Sequence, residues 1–278
     1  MTGLENLWEL GLFVLAMLLA GVIAGFVAGL LGVGGGIVLV PVLFYVLGAI
    51  GSAEEYRMHI AVGTSLTTIV ITAYFSAKTH YLKGSIDMAL LKSWGPWLFV
   101  GAVGAMFAFG SIDTSMLTGI FGVVALLVAL YMLFKRDAAD SQQFGHFPGG
   151  LFRWASGLLV GAISSVMGIG GGTLSVPLLS FFKYPIRQAV GTAAAIGLVI
   201  AVPGAIGAFL SGLGKPDLPP FSLGFVNVIA FIILVPITGM VAPYGARAAH
   251  AIKPIYLRYA FVVFLLFNAY NMLSSAFA

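Results

Sequence analysis

Residues 21–43 read GVIAGFVAGLLGVGGGIVLVPVL, and residues 157–179 read GLLVGAISSVMGIGGGTLSVPLL. Gly21, Gly25, Gly32, Gly34, Gly35, Gly36 and Pro41 of the first stretch recur in one unbroken register as Gly157, Gly161, Gly168, Gly170, Gly171, Gly172 and Pro177 of the second. Ala61-Val62-Gly63-Thr64 recurs as Ala189-Val190-Gly191-Thr192, with the intervening loop eight residues shorter in the second copy. The only polar linker, Lys135 to Arg153 with Gly145, Pro148, Gly149 and Gly150, lies between the two copies. Self-similarity at this scale marks one structural unit used twice.

Outward from these stretches the chain is almost uncharged. Of its 278 residues 60% are hydrophobic and 8% charged, against about 45–50% and about 25% in a soluble domain. The 22 charges, 13 basic and 9 acidic, cannot cover a water-soluble globule of this size, so lipid covers most of the surface. The pI near 9.3 would suggest nucleic acid in a soluble protein, but here the basic residues read as orientation signals, and no nucleic-acid partner is expected. The absence of cysteine excludes disulfides, thiolate metal sites and Cys nucleophiles. A cleaved secretory signal is not expected, because Glu5 and Glu9 precede the first apolar run where a basic n-region would stand.

Ten apolar runs cover 7–31, 36–50, 58–77, 93–111, 114–134, 154–167, 173–182, 188–210, 222–244 and 255–277. None alternates as a barrel strand would, and helices are the other way to satisfy every backbone group in lipid. The fold class is therefore an all-α polytopic membrane protein. Placing 51–57 outside and letting each later run cross once puts eleven of the thirteen basic residues inside, with only Arg57 and Lys215 outside. Both termini are then outside and the 135–153 linker is cytoplasmic. Five runs per half make the copies, 1–134 and 154–278, inverted repeats, a layout of secondary transporters with the substrate site at the repeat interface near the midplane.

A spanning helix needs about 20 residues, so 154–167 and 173–182, flanking Gly168-Ile169-Gly170-Gly171-Gly172, predict a re-entrant or broken hairpin. In the first half 36–50 is equally short but 7–31 is long enough to span, and whether that glycine motif forms a hairpin or joins two full spans stays open. Entering from opposite faces, the two tips are expected within about 15 Å of each other. Contiguous glycines there bring N–H groups to a ligand without Cβ interference, and the following helix adds its positive N-terminal end. Gly34, Gly35, Gly36 and Gly170, Gly171, Gly172 are thus candidate substrate-binding residues. Gly21, Gly25 and Gly29 have the spacing of close helix packing. A nucleotide loop is excluded: no Lys-Ser/Thr follows the glycines, and the GxGxxG spacing fails at Ile37 and Thr173.

The Gly-Thr pairs supply further candidates, Thr64, Ser65 and Thr192, whose hydroxyls could donate to an anion. Against this, membrane Ser and Thr routinely bond their own helix backbone, the reading favoured for Thr67 and Thr68. Arg247, close to a segment end, is placed to meet an anion at the cytoplasmic side. His59, His80, His146 and His250 lie at segment ends or in the linker without metal spacing, and read as solvated or headgroup residues. Asn268 and Asn271 read as interhelical bonds, and Pro203 and Pro236 as kinks. No Asp or Glu lies mid-segment. An anion would then be held by neutral donors, and its affinity should vary little between about pH 5.5 and 8.5.

The duplicated Gly-Val-Gly-Gly-Gly and Gly-Ile-Gly-Gly-Gly, each followed by Val-Pro (Val40-Pro41, Val176-Pro177) and then by Ala-Val-Gly-Thr, resemble the TauE/SafE family of sulfite and organosulfonate exporters. Gly245-Ala246-Arg247 is similar to that family too, and the resemblance spans about 21–134 and 157–277. It implies an inner-membrane carrier of small sulfur-containing or organic anions, such as sulfite, sulfonates or sulfoacetate, commonly moved outward. No cofactor is implied, while a homo-oligomer and a coupling ion, proton or sodium, stay open. The second copy departs from the first at Ala193, where the first has Ser65. The alternatives are an anion channel, since opposed glycine tips could line a pore, and an enzyme, for which no convergent catalytic set is visible.

Overall fold

The structure, a computed structural model, describes residues 3–31, 35–49, 54–134, 145–216, 218–251 and 254–277. These form ten α-helices: α1 (Gly3–Leu31), α2 (Gly36–Ala49), α3 (Arg57–Leu82), α4 (Met88–Phe109), α5 (Thr114–Phe134), α6 (Gly150–Val166), α7 (Gly172–Phe181), α8 (Ile186–Ser211), α9 (Val228–Ala251) and α10 (Pro254–Phe277). Each apolar run carries one helix. The ninth run is an exception at its start, because Ser222-Leu223 (β1) and Val226-Asn227 (β2) pair as a small antiparallel hairpin before α9 begins.

Six helices are long and apolar enough to cross a membrane, and shorter apolar helices accompany them. The outward faces carry large bare apolar side chains, among them Phe107, Phe134, Met240 and Tyr270. Such a surface is stable in lipid, and the chain is a polytopic all-α membrane protein. α7, with 10 residues, is about 15 Å long at 1.5 Å per residue, half of a hydrocarbon core about 30 Å thick.

Glycines set which helices meet. Along α1, a Cβ at Gly21 would stand 2.9 Å from Ile237 Cγ2 and one at Gly25 2.8 Å from Thr238 Cα, both on α9. Along α6, Cβ atoms at Gly157 and Gly161 would stand 2.6 Å from Trp97 Cβ and 2.0 Å from the Leu98 carbonyl oxygen on α4. Close approach of this kind is how membrane helices associate without a hydrophobic driving force between them. Gly21 and Gly25 correspond to Gly157 and Gly161, and Trp97 and Leu98 stand in the fourth helix of the first half where Ile237 and Thr238 stand in that of the second. Each half's first helix therefore packs on the other half's fourth. α3 with α8 and α5 with α10 pack as like with like.

The helices hold apart two sets of turns. The 3₁₀ turn Glu54–Tyr56 meets the α4–α5 turn through Thr114 Oγ1, which donates to the Glu55 carbonyl, and meets Lys215 through the Tyr56 ring, 5.5 Å from the ammonium. At the opposite ends of α3 and α4, Tyr184 donates to Asp87 Oδ2 at 3.1 Å, Gly145 N–H to the Lys183 carbonyl, and Arg153 to Ser93 Oγ, Phe147 O and Pro148 O.

Candidate functional site

Backbone geometry explains the glycines of the second motif. Gly168 (φ +67°) and Gly170 (φ +66°) lie in the left-handed region, which side chains with a Cβ enter only at a cost. Gly168 closes the turn that ends α6: its N–H donates to Ser165 O and the Ile169 N–H to Ser164 O. α7 then starts with the Gly171 carbonyl accepting from Ser175 N–H, and in the first half Gly35 (φ +74°) accepts from Leu39 N–H at the corresponding place. Gly34 lies outside the described residues.

The two glycine turns touch. A Cβ on Gly36 would sit 2.5 Å from the Gly168 carbonyl oxygen and 2.7 Å from Ile169 Cα. The same carbonyl accepts the Ser65 hydroxyl at 2.7 Å. Gly36 and Ser65 thus join the motifs to each other. Gly171 is seated on α8, where a Cβ would stand 2.5 Å from Ile196 Cγ2.

Thr64 and Thr192 occupy a second joint, made twice. Thr64 Oγ1 accepts the Asn227 N–H at 2.9 Å, and Asn227 Oδ1 caps α9 by accepting Ala230 N–H at 2.9 Å. Thr192 Oγ1 accepts the Asp87 N–H at 2.9 Å, and Asp87 Oδ1 caps α4 by accepting Leu90 N–H at 2.9 Å. The preceding glycines press on the same loops, with Cβ positions 2.2 Å from Phe225 O for Gly63 and 2.4 Å from Ser85 O for Gly191. Both threonines are fully buried. On the Asp87 side, burial and the neighbouring carboxylate push the Tyr184 phenol above its ordinary pKa.

Between α3 and α9 opens a cavity of about 700 Å³ that runs from Thr79 and His80 to Gly35. A pocket of only about 30 Å³ lies at Gly170, Gly171 and Gly172, and Ala73 and Ser76 border both spaces. The hydroxyl protons on the cavity wall are mostly committed: Thr72 donates to Thr68 O at 3.2 Å, Thr79 to Phe75 O at 2.9 Å, and Thr238 to Leu234 O at 2.6 Å. Ser76 has no such bond among the described residues, and His80 Nδ1 is buried without a protein partner. Ser76 and His80 are thus the lining side chains whose polar hydrogens are not committed to the fold. Arg247 is exposed on α9, its guanidinium 5.7 Å from the Tyr244 ring, and is not among the residues lining this cavity.

Several sequence expectations need correction. His59 is 2% exposed, not solvated: its Nε2 lies 3.1 Å from Phe109 O and its ring packs on Tyr56, Phe109 and Phe225. His80, at the end of α3, lines the cavity. Asn268 and Asn271 donate to Phe264 O and Phe267 O of their own helix instead of to a neighbour. Thr67 and Thr68 bond Gly63 O and Thr64 O, as the backbone reading has it. Asp87, Asn227 and Ser76 were missed. The repeat of Gly84-Ser85-x-Asp87 as Gly224-Phe225-x-Asn227, in the register that pairs α4 with α9, could have shown the first two. The hydroxyl row Thr68, Thr72, Ser76 at i, i+4 could have shown the third.

Ten helices with bare apolar outward faces, with two glycine turns meeting beside a cavity, define a polytopic membrane protein. The sulfite exporter TauE/SafE family model matches residues 17–272, and the chain belongs to that family. It is 33% identical over 262 residues to a probable membrane transporter protein of Haemophilus influenzae, covering 94% of this chain and 98% of that one. A probable membrane transporter protein of Methanocaldococcus jannaschii is 27% identical over 253 residues, 87% and 88% of the two chains. One of Bacillus subtilis is 28% identical over 222 residues, 72% and 79%. No solved structure matches significantly.

Proposed function

We propose that the chain is a secondary transporter that exports small sulfur-containing or organic anions, such as sulfite, sulfonates or sulfoacetate, across the inner membrane. The observation that carries this reading is the cavity of about 700 Å³ between α3 and α9, which reaches Gly35 and shares Ala73 and Ser76 with the space of about 30 Å³ at Gly170 to Gly172. A wide space that narrows at the glycine turns suits a carrier better than the runner-up, an anion channel, which needs a continuous pore. Cargo would sit against Ser76 and the glycine turns, held by hydroxyl, imidazole and backbone N–H donors.

Lys83, Arg153 and Lys183 stand in or beside the turns at 83–87, 145–149 and 183–185, which the charge rule assigns to the cytoplasm, the side of the cavity's Thr79 and His80 end. The contacts exchanged between halves support inverted repeats, each half lending its fourth helix to the other. The test is transport by purified protein in liposomes. Saturable uptake of labelled sulfite or a sulfonate, with counterflow against unlabelled anion, is expected. Single-channel currents without counterflow would favour the channel, and collapsing the proton and sodium gradients in turn identifies the driving ion.

A further inference from the structure

The open cavity has a closed counterpart in the other half. The repeat carries its wall residues Gly35 and Leu39 onto Gly171 and Ser175, and Thr72 and Ser76 onto Ile200 and Gly204. There α8 is packed shut: Ile200 is fully buried, a Cβ on Gly204 would stand 2.9 Å from Leu66 Cδ1, and one on Gly207 2.5 Å from Met106 Cβ. Two hydroxyls on α6 and α7 of the same half are sealed without a protein partner. Ser175 and Ser164 are each 0% exposed, and neither Oγ makes a hydrogen bond.

Their places in the repeat are specific. Ser175 stands where Leu39 lines the open cavity, and Ser164 corresponds to Ala28, one helical turn from the cavity residue Ala24. The first half thus carries apolar residues at both positions, so the fold does not require hydroxyls there. Buried hydroxyls without partners are rare because desolvation goes uncompensated. Polar groups kept at such a cost in membrane proteins mark substrate paths.

We infer that Ser164 and Ser175 form a second anion-binding half-site, closed in this conformation, which opens to the opposite face when α8 parts from α4. This rests on the transporter reading above. In the second state the Ser164 and Ser175 hydroxyls donate to the oxygens of the anionic cargo, as Ser76 and His80 do in the first. The Gly207–Met106 contact between α8 and α4 is the gate. Because α8 repeats α3 and α4 repeats α9, opening one pair while closing the other exchanges the sides by a like motion in each half.

The chain has no cysteine, so single cysteines report without background. Ser175→Cys, Ser164→Cys and Ser76→Cys are each treated with a membrane-impermeant thiosulfonate in oriented vesicles, from either face. Ser76→Cys is expected to react from the face where Thr79 and His80 lie, and Ser175→Cys and Ser164→Cys from the opposite face only. Adding Gly207→Leu, whose side chain does not fit against Met106 in this conformation, should speed labelling of Ser175→Cys by about tenfold or more and slow that of Ser76→Cys. Gly207→Ala should do the same to a smaller degree, and replaces the leucine variant if that one fails to fold. Labelling of Ser175→Cys from the same face as Ser76→Cys, or from neither face in a protein that still transports, would overturn the inference and leave the transporter reading standing. Loss of Ser76→Cys labelling in folded protein that also lacks anion transport would instead sink the transporter reading.

Discussion

Thr64 and Asn227 are far apart in the chain, yet the threonine hydroxyl accepts the asparagine backbone N–H at 2.9 Å. Thr192 and Asp87 form the same bond at the same 2.9 Å. Each bond ties one half's third helix to the loop that starts the other half's fourth. The hydroxyls named by the sequence as candidate ligands are, in this conformation, the acceptors of these joints.

Thr64→Val and Thr192→Val should each lower stability by about 1–3 kcal/mol, because a backbone N–H is left buried and unpaired. Thr→Ser at either position should recover most of the loss. Thermal unfolding of the detergent-solubilised protein measures this. A valine variant as stable as the parent would show that the joint contributes nothing.

Gly25→Leu and Gly161→Leu should fail to assemble, since their Cβ positions stand 2.8 Å from Thr238 Cα and 2.0 Å from Leu98 O. Gly104→Leu, with nothing within 4 Å of its Cβ position, should stay within about 0.5 kcal/mol of the parent as a surface change does. Yield and monodispersity on gel filtration decide it. Gly171→Leu is a poor test of ligand contact, because its Cβ position already meets α8 at Ile196.

Ser76→Ala should weaken anion binding by roughly two- to tenfold, the value of one neutral hydrogen bond, while Thr79→Val, whose proton is committed to Phe75 O, should change it less. The readout is the anion-dependent rise in melting temperature, which scales with occupancy of the folded state. Equal effects of the two variants would remove Ser76 from its place as donor.

Affinity for a permanently charged sulfonate should rise as pH falls from about 8 to about 5, the range over which imidazole gains its proton. His80 is the titratable residue among those lining the cavity. This replaces the flat profile that neutral donors alone would give. His80→Gln should flatten the curve, and an unchanged slope in that variant would place the titrating group elsewhere.

The ten helices and the breaks at the glycine motifs were legible because each is a local or periodic property of the chain. Hydrophobic length tells a span from a half-span, and a run of glycines marks a break wherever it falls. The 222–227 hairpin escaped this reading because its residues are as apolar as the helix that follows.

Tertiary structure decided the rest. That α1 meets α9 and α6 meets α4 depends on shape fitted across the halves, to which hydropathy is blind. His59 is a segment-end histidine in the sequence and an enclosed one in the fold, since Phe109 and Phe225 reach it from α4 and the α8–α9 loop. Two halves with matching motifs carry no sign of which side is open. Thr72 and Ser76 border a cavity while their counterparts Ile200 and Gly204 are packed against other helices, a difference set by helix packing and not by the repeated motifs.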